Sequence, residues 1–210
     1  SGVPLVEIVT KPIIRSSKEA VSYIEELRQL VIDLGISEGK LEKGNLRFDA
    51  NISVAQEGDK ELGVKVEIKN MNSLRSLEKA IDYEIKRQTK LIESNKEIIQ
   101  ETRHWDEDKE VTSSMRSKEG SADYRYFSDP DLPNMILSEE FIDNIKKEIP
   151  ILPSEKRKKV SETGLSLSES NHLSKSEDWI YDLYLNTQKI TNDSKTTYNF
   201  ITGELQGQLR

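Results

Sequence analysis

Leu46-Arg47-Phe48-Asp49-Ala50-Asn51-Ile52-Ser53-Val54 alternates apolar and polar residues without a break. Gly63-Val64-Lys65-Val66-Glu67-Ile68-Lys69 alternates again after the turn-forming run Gln56-Glu57-Gly58-Asp59-Lys60. A period of two marks a strand with one buried face, so the two runs predict an antiparallel hairpin. Leu46, Phe48, Ala50, Ile52 and Val54 face the core with Val64, Val66 and Ile68. Arg47, Asp49, Asn51, Lys65, Glu67 and Lys69 then share the other face. That face reads in two ways. It is either a solvated surface of cross-strand charge pairs, each contributing about 0.2–1 kcal/mol, or a polar sheet lining a site. In the second reading Lys and Arg hold phosphates or a developing negative charge, and carboxylates hold Mg²⁺.

Helices flank the hairpin. Ser16-Ser17-Lys18-Glu19 is a capping box, followed by apolar residues at Ala20, Ile24, Leu27, Val31 and Leu34 on one helical face, with Gly35 placed to stop the helix. Leu74, Leu77, Ile81, Ile85 and Ile92 predict a second helix over about 74–93. Further strands are expected over 98–105 and 111–116, joined by Asp106-Glu107-Asp108, and over 124–127. Val3–Val9, apolar on both faces, reads as a strand covered on both sides. After Ser138 only helical spacing remains, over about 139–149, 155–163, 175–187 and 195–209, with Pro150 and Pro153 marking a boundary. The expected class is α+β over residues 1–150, with an antiparallel sheet, then an all-α domain over 151–210.

Hydrophobic residues make up 34% of the 210 and charged residues 33%, with a net charge of −7 and pI near 5.1. Residues 151–210 balance, so the excess acid lies in 1–150. This excludes a polybasic nucleic-acid binder. With no cysteine there is no disulfide framework, thiolate metal site or cysteine nucleophile. No apolar run reaches the roughly 18 residues needed to span a bilayer, and no signal peptide is read. The expectation is a soluble protein of a reducing compartment. A chain that opens inside an apolar run also reads as a piece of something longer.

Three further features carry possible chemistry. Glu7, among Leu5, Val6, Ile8 and Val9, is a poorly solvated carboxylate, and such a charge must be paired, protonated or metal-bound. The alternatives are an edge-strand or ion-paired Glu and an Mg²⁺ ligand. Met115–Phe127 gathers Arg116, Lys118 and Arg125 with Tyr124 and Tyr126 around Gly120-Ser121. It is either a loop pinned by ion pairs or a grip for phosphate and base. Lys156-Arg157-Lys158-Lys159 is either a solvated helix face or a phosphate contact to RNA. His104 and His172 make no metal-spacing motif, and no Walker loop, Gly-x-Gly-x-x-Gly or nucleophile elbow is present.

Several stretches together resemble one family. Gly2-Val3-Pro4-Leu5-Val6-Glu7-Ile8-Val9-Thr10-Lys11-Pro12, Glu42–Asn51, Lys65–Ser73, Gln100–Arg103, Met115–Phe127, Asp129–Pro133 and Asn199–Leu205 are similar, in that order, to GatB, the B-type component of the glutamyl-/aspartyl-tRNA amidotransferases. The resemblance implies a glutamine-synthetase-like cradle domain, its later part in 1–150, followed by the start of a helical domain in 151–210. It implies ATP and Mg²⁺ as cofactors and phosphorylation of the side-chain carboxylate of Glu on tRNA(Gln) or Asp on tRNA(Asn). Ammonia from an amidase-type partner then displaces the phosphate, and a small third component clasps the two. Glu7 falls on a metal-associated position. Arg47, Asp49, Lys65, Glu67 and Lys69 fall in a motif expected to be catalytic. Arg116, Lys118, Arg125, Lys156, Arg157, Lys158 and Lys159 are the candidate tRNA contacts. The place of action is expected to be the cytoplasm, or an organellar matrix in a eukaryote, with no membrane involved. Phe48 replaces a frequent Cys, and Ser128 a frequent Pro. The family's leading His-x-Glu pair and its tail domain have no counterpart here, so residues 1–210 alone are expected to be inactive. The runner-up reading is a non-catalytic tRNA- or partner-binding module on the same scaffold. A free-standing small-molecule amide ligase fits the motifs less well.

Overall fold

The computed structural model describes residues 4–115, 131 and 133–209, which form two compact units, residues 1–27 with 39–133 and residues 28–38 with 134–210. The class is α+β.

A helix, α1 (Ser17–Asp33), with its residues to Leu27 in the first unit and the rest in the second, begins as its sequence requires. The Ser16 hydroxyl accepts from the Glu19 N–H at 3.1 Å, and the Glu19 carboxylate accepts from the Arg15 N–H at 2.7 Å, one residue earlier than in a strict capping box. At its other end Gly35 takes φ 65°. The N–H groups of Gly35 and Ile36 return to the carbonyls of Ile32 and Val31, at 2.9 and 3.0 Å, closing a Schellman motif.

Strands β1 (Ala50–Ile52) and β2 (Val66–Lys69) pair antiparallel, with Ala50 opposite Ile68, Asn51 opposite Glu67 and Ile52 opposite Val66. The hairpin is therefore present over fewer residues; Ile52, Val66 and Ile68 face the core as expected, whereas Val64 is exposed. Near its turn, a Cβ on Gly63 would run into the backbone of Val54, so the close approach there needs glycine. Helix α2 (Leu74–Glu93) follows, capped by the Ser73 hydroxyl on the Ser76 N–H at 3.0 Å. β3 (Thr102–Asp106) and β4 (Val111–Ser114) complete a four-stranded sheet in the order β1-β2-β3-β4. β3 pairs antiparallel with β4 but parallel with β2. The expected all-antiparallel sheet is thus corrected to a mixed one, because the α2 crossover returns the chain to the sheet in the direction of β2. Ile52, Ile68 and Trp105 on one sheet face bury against Leu77, Ala80 and Ile81 of α2, with Ala20 and Met71. Each large aliphatic side chain buried there contributes about 1.5–3 kcal/mol.

The expected strand at Val3–Val9 is not formed. Residues 4–10 lie without regular structure, and Leu5 and Val9 are 82% and 81% exposed. Apolar composition favours a strand only where a neighbour completes its hydrogen bonds, and none of the described residues pairs with this segment. The strand expected over 124–127 lies outside the described residues.

The second unit's regular elements, as described, are helical: α3 (Glu139–Glu148), α4 (Pro153–Ser161), α5 (Leu167–Ser174), α6 (Asp178–Thr191), α7 (Ser194–Asn199), a π-helix (Phe200–Leu205) and α8 (Gln206–Leu209). Val160, Leu165, Leu173, Ile180, Tyr181, Tyr184 and Ile201 form its core. Two features depart from the spacing. α5 is an extra helix opened by a complete capping box between Ser166 and Glu169, and the last helix is interrupted by the π segment.

Candidate functional site

Pairing places the alternate residues of the sheet. Directly opposed residues share a face, so Asn51, Glu67, Lys69, Thr102 and His104 lie together on the side away from α2. Asp49 continues that side from β1. Lys69 Nζ donates to Asp49 Oδ2 at 2.7 Å and lies 3.3 Å from Glu67 Oε1. The other Glu67 oxygen, Oε2, accepts from the Thr102 hydroxyl at 2.9 Å. One ammonium thus sits between two carboxylates, with all three side chains partly open to solvent. The hydrogen bond to Asp49, with the charges of Asp49 and Glu67, raises the Lys69 ammonium above the usual lysine range against the opposing effect of burial. Lys69 therefore stays charged, and the cluster carries one net negative charge. Its surplus carboxylate capacity can take a cation, and its ammonium can take a phosphate oxygen.

At the end of β2, Asn70 adopts φ 70°, and its amide Nδ2 donates to the Trp105 carbonyl at 3.1 Å and lies 3.2 Å from His104 Nε2. This clamps the ends of β2 and β3 together.

Behind the sheet lies a charged cluster that sequence reading missed. Glu84, 0% exposed on the inner face of α2, accepts from Arg87 Nη2 at 2.6 Å, Gln88 Nε2 at 2.9 Å and the Thr112 hydroxyl at 3.2 Å. Arg103 Nε donates to the Thr112 hydroxyl at 2.8 Å, and its Nη1 donates to Glu101 at 2.6 Å. Two acids and two guanidiniums balance, which is the condition for keeping charge in an interior. Burial pushes the Glu101 carboxyl up, but the Ser114 hydroxyl, Arg103 and Arg87 outweigh it and hold it below the usual carboxylate range. Gln88, also buried, donates to the Ile52 carbonyl at 3.1 Å and accepts from the Val54 N–H at 3.0 Å. Its amide serves the edge of β1 as a further strand would. The signal for this cluster was helical spacing: Leu77, Ile81, Glu84 and Gln88 fall on one stripe of α2.

The other expected site residues are not gathered here. Arg47 and Lys65 are exposed. Glu7 is exposed on its irregular segment, which corrects the expectation of a carboxylate desolvated by its aliphatic neighbours. Arg116, Lys118 and Arg125 lie outside the described residues. In the second unit, Lys158 and Lys159 are exposed on α4, and Arg157 is half-buried. Lys156 departs from the expected surface run. It is 6% exposed, with Nζ 2.7 Å from Asp178, 3.9 Å from Asp33 and 5.7 Å from the Tyr181 ring centre. The one-sided apolar spacing of a short helix turns that position inward, so Lys156 serves packing rather than surface contact.

A mixed four-stranded sheet backed by α2, with a Lys-centred carboxylate cluster on its open face, defines an α+β domain. The family described as the GatB/GatE catalytic domain matches residues 1–143, and the chain belongs to that family. It is 50% identical over 206 residues to the B subunit of the aspartyl/glutamyl-tRNA(Asn/Gln) amidotransferase from Clostridium kluyveri, a match covering 98% of this chain and 43% of that protein. The B subunits of the same amidotransferase from Crocosphaera subtropica and Thermodesulfovibrio yellowstonii are each 48% identical, over 210 and 206 residues, covering 100% and 98% of this chain and 42% and 43% of theirs. The chain thus spans less than half the length of the relatives it matches. No helix among the described residues is long and apolar enough to cross a membrane.

Proposed function

We propose that this chain is part of the transamidating component of a tRNA-dependent amidotransferase. ATP phosphorylates the side-chain carboxylate of Glu on tRNA(Gln), or of Asp on tRNA(Asn), giving an acyl phosphate and ADP. Ammonia attacks the acyl carbon, and inorganic phosphate leaves to give the amide. The observation that carries the reading is the 50% identity to an amidotransferase B subunit over 98% of the chain. A carboxylate is a poor electrophile until phosphorylated, and phosphoryl transfer is mostly positioning and charge neutralisation. The open sheet face suits that work. Lys69 takes a phosphate oxygen, Asp49 and Glu67 hold Lys69, and Arg47 and Lys65 add positive charge at the margin.

Mg²⁺ takes hard oxygen donors, commonly one or two carboxylates completed by substrate phosphates and water. Among the described residues no three His, Cys, Asp or Glu side chains form a metal-binding group. Asp49 and Glu67 would therefore hold the ion jointly with the nucleotide, and Glu7 is a proposed further ligand. Bound there, Mg²⁺ would neutralise charge on the transferring phosphoryl group.

The rest of the reading follows from the family. Residues 1–150 are the later part of a glutamine-synthetase-like cradle and 151–210 begin a helical domain. Ammonia comes from an amidase-type partner, and a small third component completes the heterotrimer. Arg116, Lys118, Arg125, Arg157, Lys158 and Lys159 contact tRNA. The complex works in the cytoplasm, or in an organellar matrix in a eukaryote. The test is conversion of Glu-tRNA(Gln), and separately of Asp-tRNA(Asn), by the full-length subunit with its partners, with and without ATP. ATP-dependent appearance of Gln-tRNA or Asn-tRNA supports the reading; neither product with either substrate overturns it.

A further inference from the structure

We propose that Thr102 is a positioning residue for the Glu67 carboxylate, an inference that rests on the function proposed above. Thr102 and Glu67 are opposed across the parallel β2–β3 pair. The Thr102 hydroxyl donates to Glu67 Oε2 at 2.9 Å, while Oε1 lies 3.3 Å from Lys69 Nζ. The two carboxylate oxygens therefore have different partners. One is tied to β3, and the other shares the ammonium that Asp49 holds at 2.7 Å.

The backbone that carries the hydroxyl is fixed from both directions. The Glu67 N–H donates to the Glu101 carbonyl at 3.0 Å, and the Thr102 carbonyl accepts from the Met115 N–H at 3.0 Å. The residues on either side of Thr102, Glu101 and Arg103, are joined at 2.6 Å within the buried cluster behind the sheet. Thr102 thus stands on an immobilised stretch of strand, whereas Glu67 has three rotatable side-chain bonds. Without the hydroxyl, both Glu67 oxygens are free to turn toward Lys69 and compete with Asp49 for it. The ammonium and the acid then lose the separation that a phosphate and a cation would need. A displacement of about 1 Å in such a group can cost on the order of 100-fold in rate.

The experiment uses the full-length subunit in its complex. Thr102→Val keeps the shape and β-branching of the side chain and removes only the hydroxyl. Thr102→Ser restores the hydroxyl, and Thr102→Ala checks that the packing of Val is not itself the cause. Expected are an approximately 10-fold fall in kcat for ATP-dependent amidation in the Val and Ala variants, KM for tRNA within about twofold of the parent, and recovery to within about threefold in the Ser variant. In a Glu67→Asp background, whose shorter side chain has already left the hydroxyl, Thr102→Val should add less than about twofold, because residues acting through one group are not additive. Unchanged kcat in Thr102→Val while Glu67→Gln is inactive overturns the positioning role alone. So does an equal further loss in the Glu67→Asp background, or a Ser variant no better than Ala. A fully active Glu67→Gln enzyme overturns the reading of the sheet face, and the positioning role with it.

Discussion

Removing the Glu84 carboxylate should damage the sheet unit more than any surface change. Glu84→Ala deletes a group with 0% side-chain exposure that faces Arg87 and Arg103, themselves only 21% and 13% exposed. Breaking a buried ion pair from one side costs about 3–5 kcal/mol, because the remaining charge is left without a partner. Both guanidiniums retain Glu101, Arg103 at 2.6 Å and Arg87 at 3.9 Å, which places the loss at about 3 kcal/mol. With a urea slope of about 2 kcal/mol per molar, the midpoint falls by about 1.5 M. The chain has two units, so unfolding is followed in the sheet unit by itself. The assay is therefore urea unfolding followed by Trp105 fluorescence in a Trp179→Phe background. Trp105 is 1% exposed in the sheet core, whereas Trp179 is 44% exposed in the other unit. The double variant Glu84→Leu, Arg87→Leu should lose less than the two single changes summed, since it leaves no half of that pair behind. A Glu84→Ala midpoint within about 0.3 M of the parent, or a double variant at the full sum, would refute the reasoning.

Two other expectations concern the helical unit. Hydrogen bonds from Lys195 and Ser166 hold the Glu169 carboxyl at about 2, against 4.5 when unperturbed. Because its folded value is depressed, its contribution to stability is complete above about pH 4.5 and is lost as the pH falls toward about 2. Thermal melts across that window should show a shallower acid decline for Glu169→Gln; parallel declines would contradict this. Lys156→Met should lower the unit's stability by about 1–2 kcal/mol, discounted because its nearer partner Asp178 is largely solvated. Reversing Lys158 and Lys159 together should change stability by less than about 0.5 kcal/mol; calorimetric melting distinguishes the two, and equal effects would be inconsistent with the inward placement of Lys156.

Features set by local spacing could be read from the chain. α2 was legible from Leu74 to Glu93 because one apolar stripe runs its length. The shared face of Asp49, Glu67 and Lys69 followed from a period of two, which needs no knowledge of the partner strand. The parallel β2–β3 pairing was not legible, because it depends on where α2 returns the chain. Thr102 was hidden for the same reason: its partner across the strands is fixed by tertiary register. Glu84 was readable as a polar residue on an apolar stripe with Arg87 one turn away on the same helix, but Arg103 and Thr112 reach it from β3 and β4, which only packing brings to it. Leu5–Val9 shows the converse, apolar residues whose composition suggests a strand but which pair with no strand among the described residues. The capping box at Ser166 and Glu169 was present in the sequence, and a short Ser-rich helix offered too little apolar periodicity to draw attention to it.

On the proposed function, Lys69 is the residue of the open face that meets the phosphate. Its replacement by Met keeps length and apolar stem and removes the ammonium that lies between Asp49 and Glu67. In the full-length protein, assembled with its partners and supplied with ATP, glutamine and Glu-tRNA(Gln) or Asp-tRNA(Asn), whichever the parent enzyme converts, Lys69→Met should lower the kcat of amidation by on the order of 100-fold or more. Release of ammonia from glutamine by the amidase-type partner should continue. Amidation at the parent rate in Lys69→Met would contradict the assignment of phosphoryl chemistry to this sheet face.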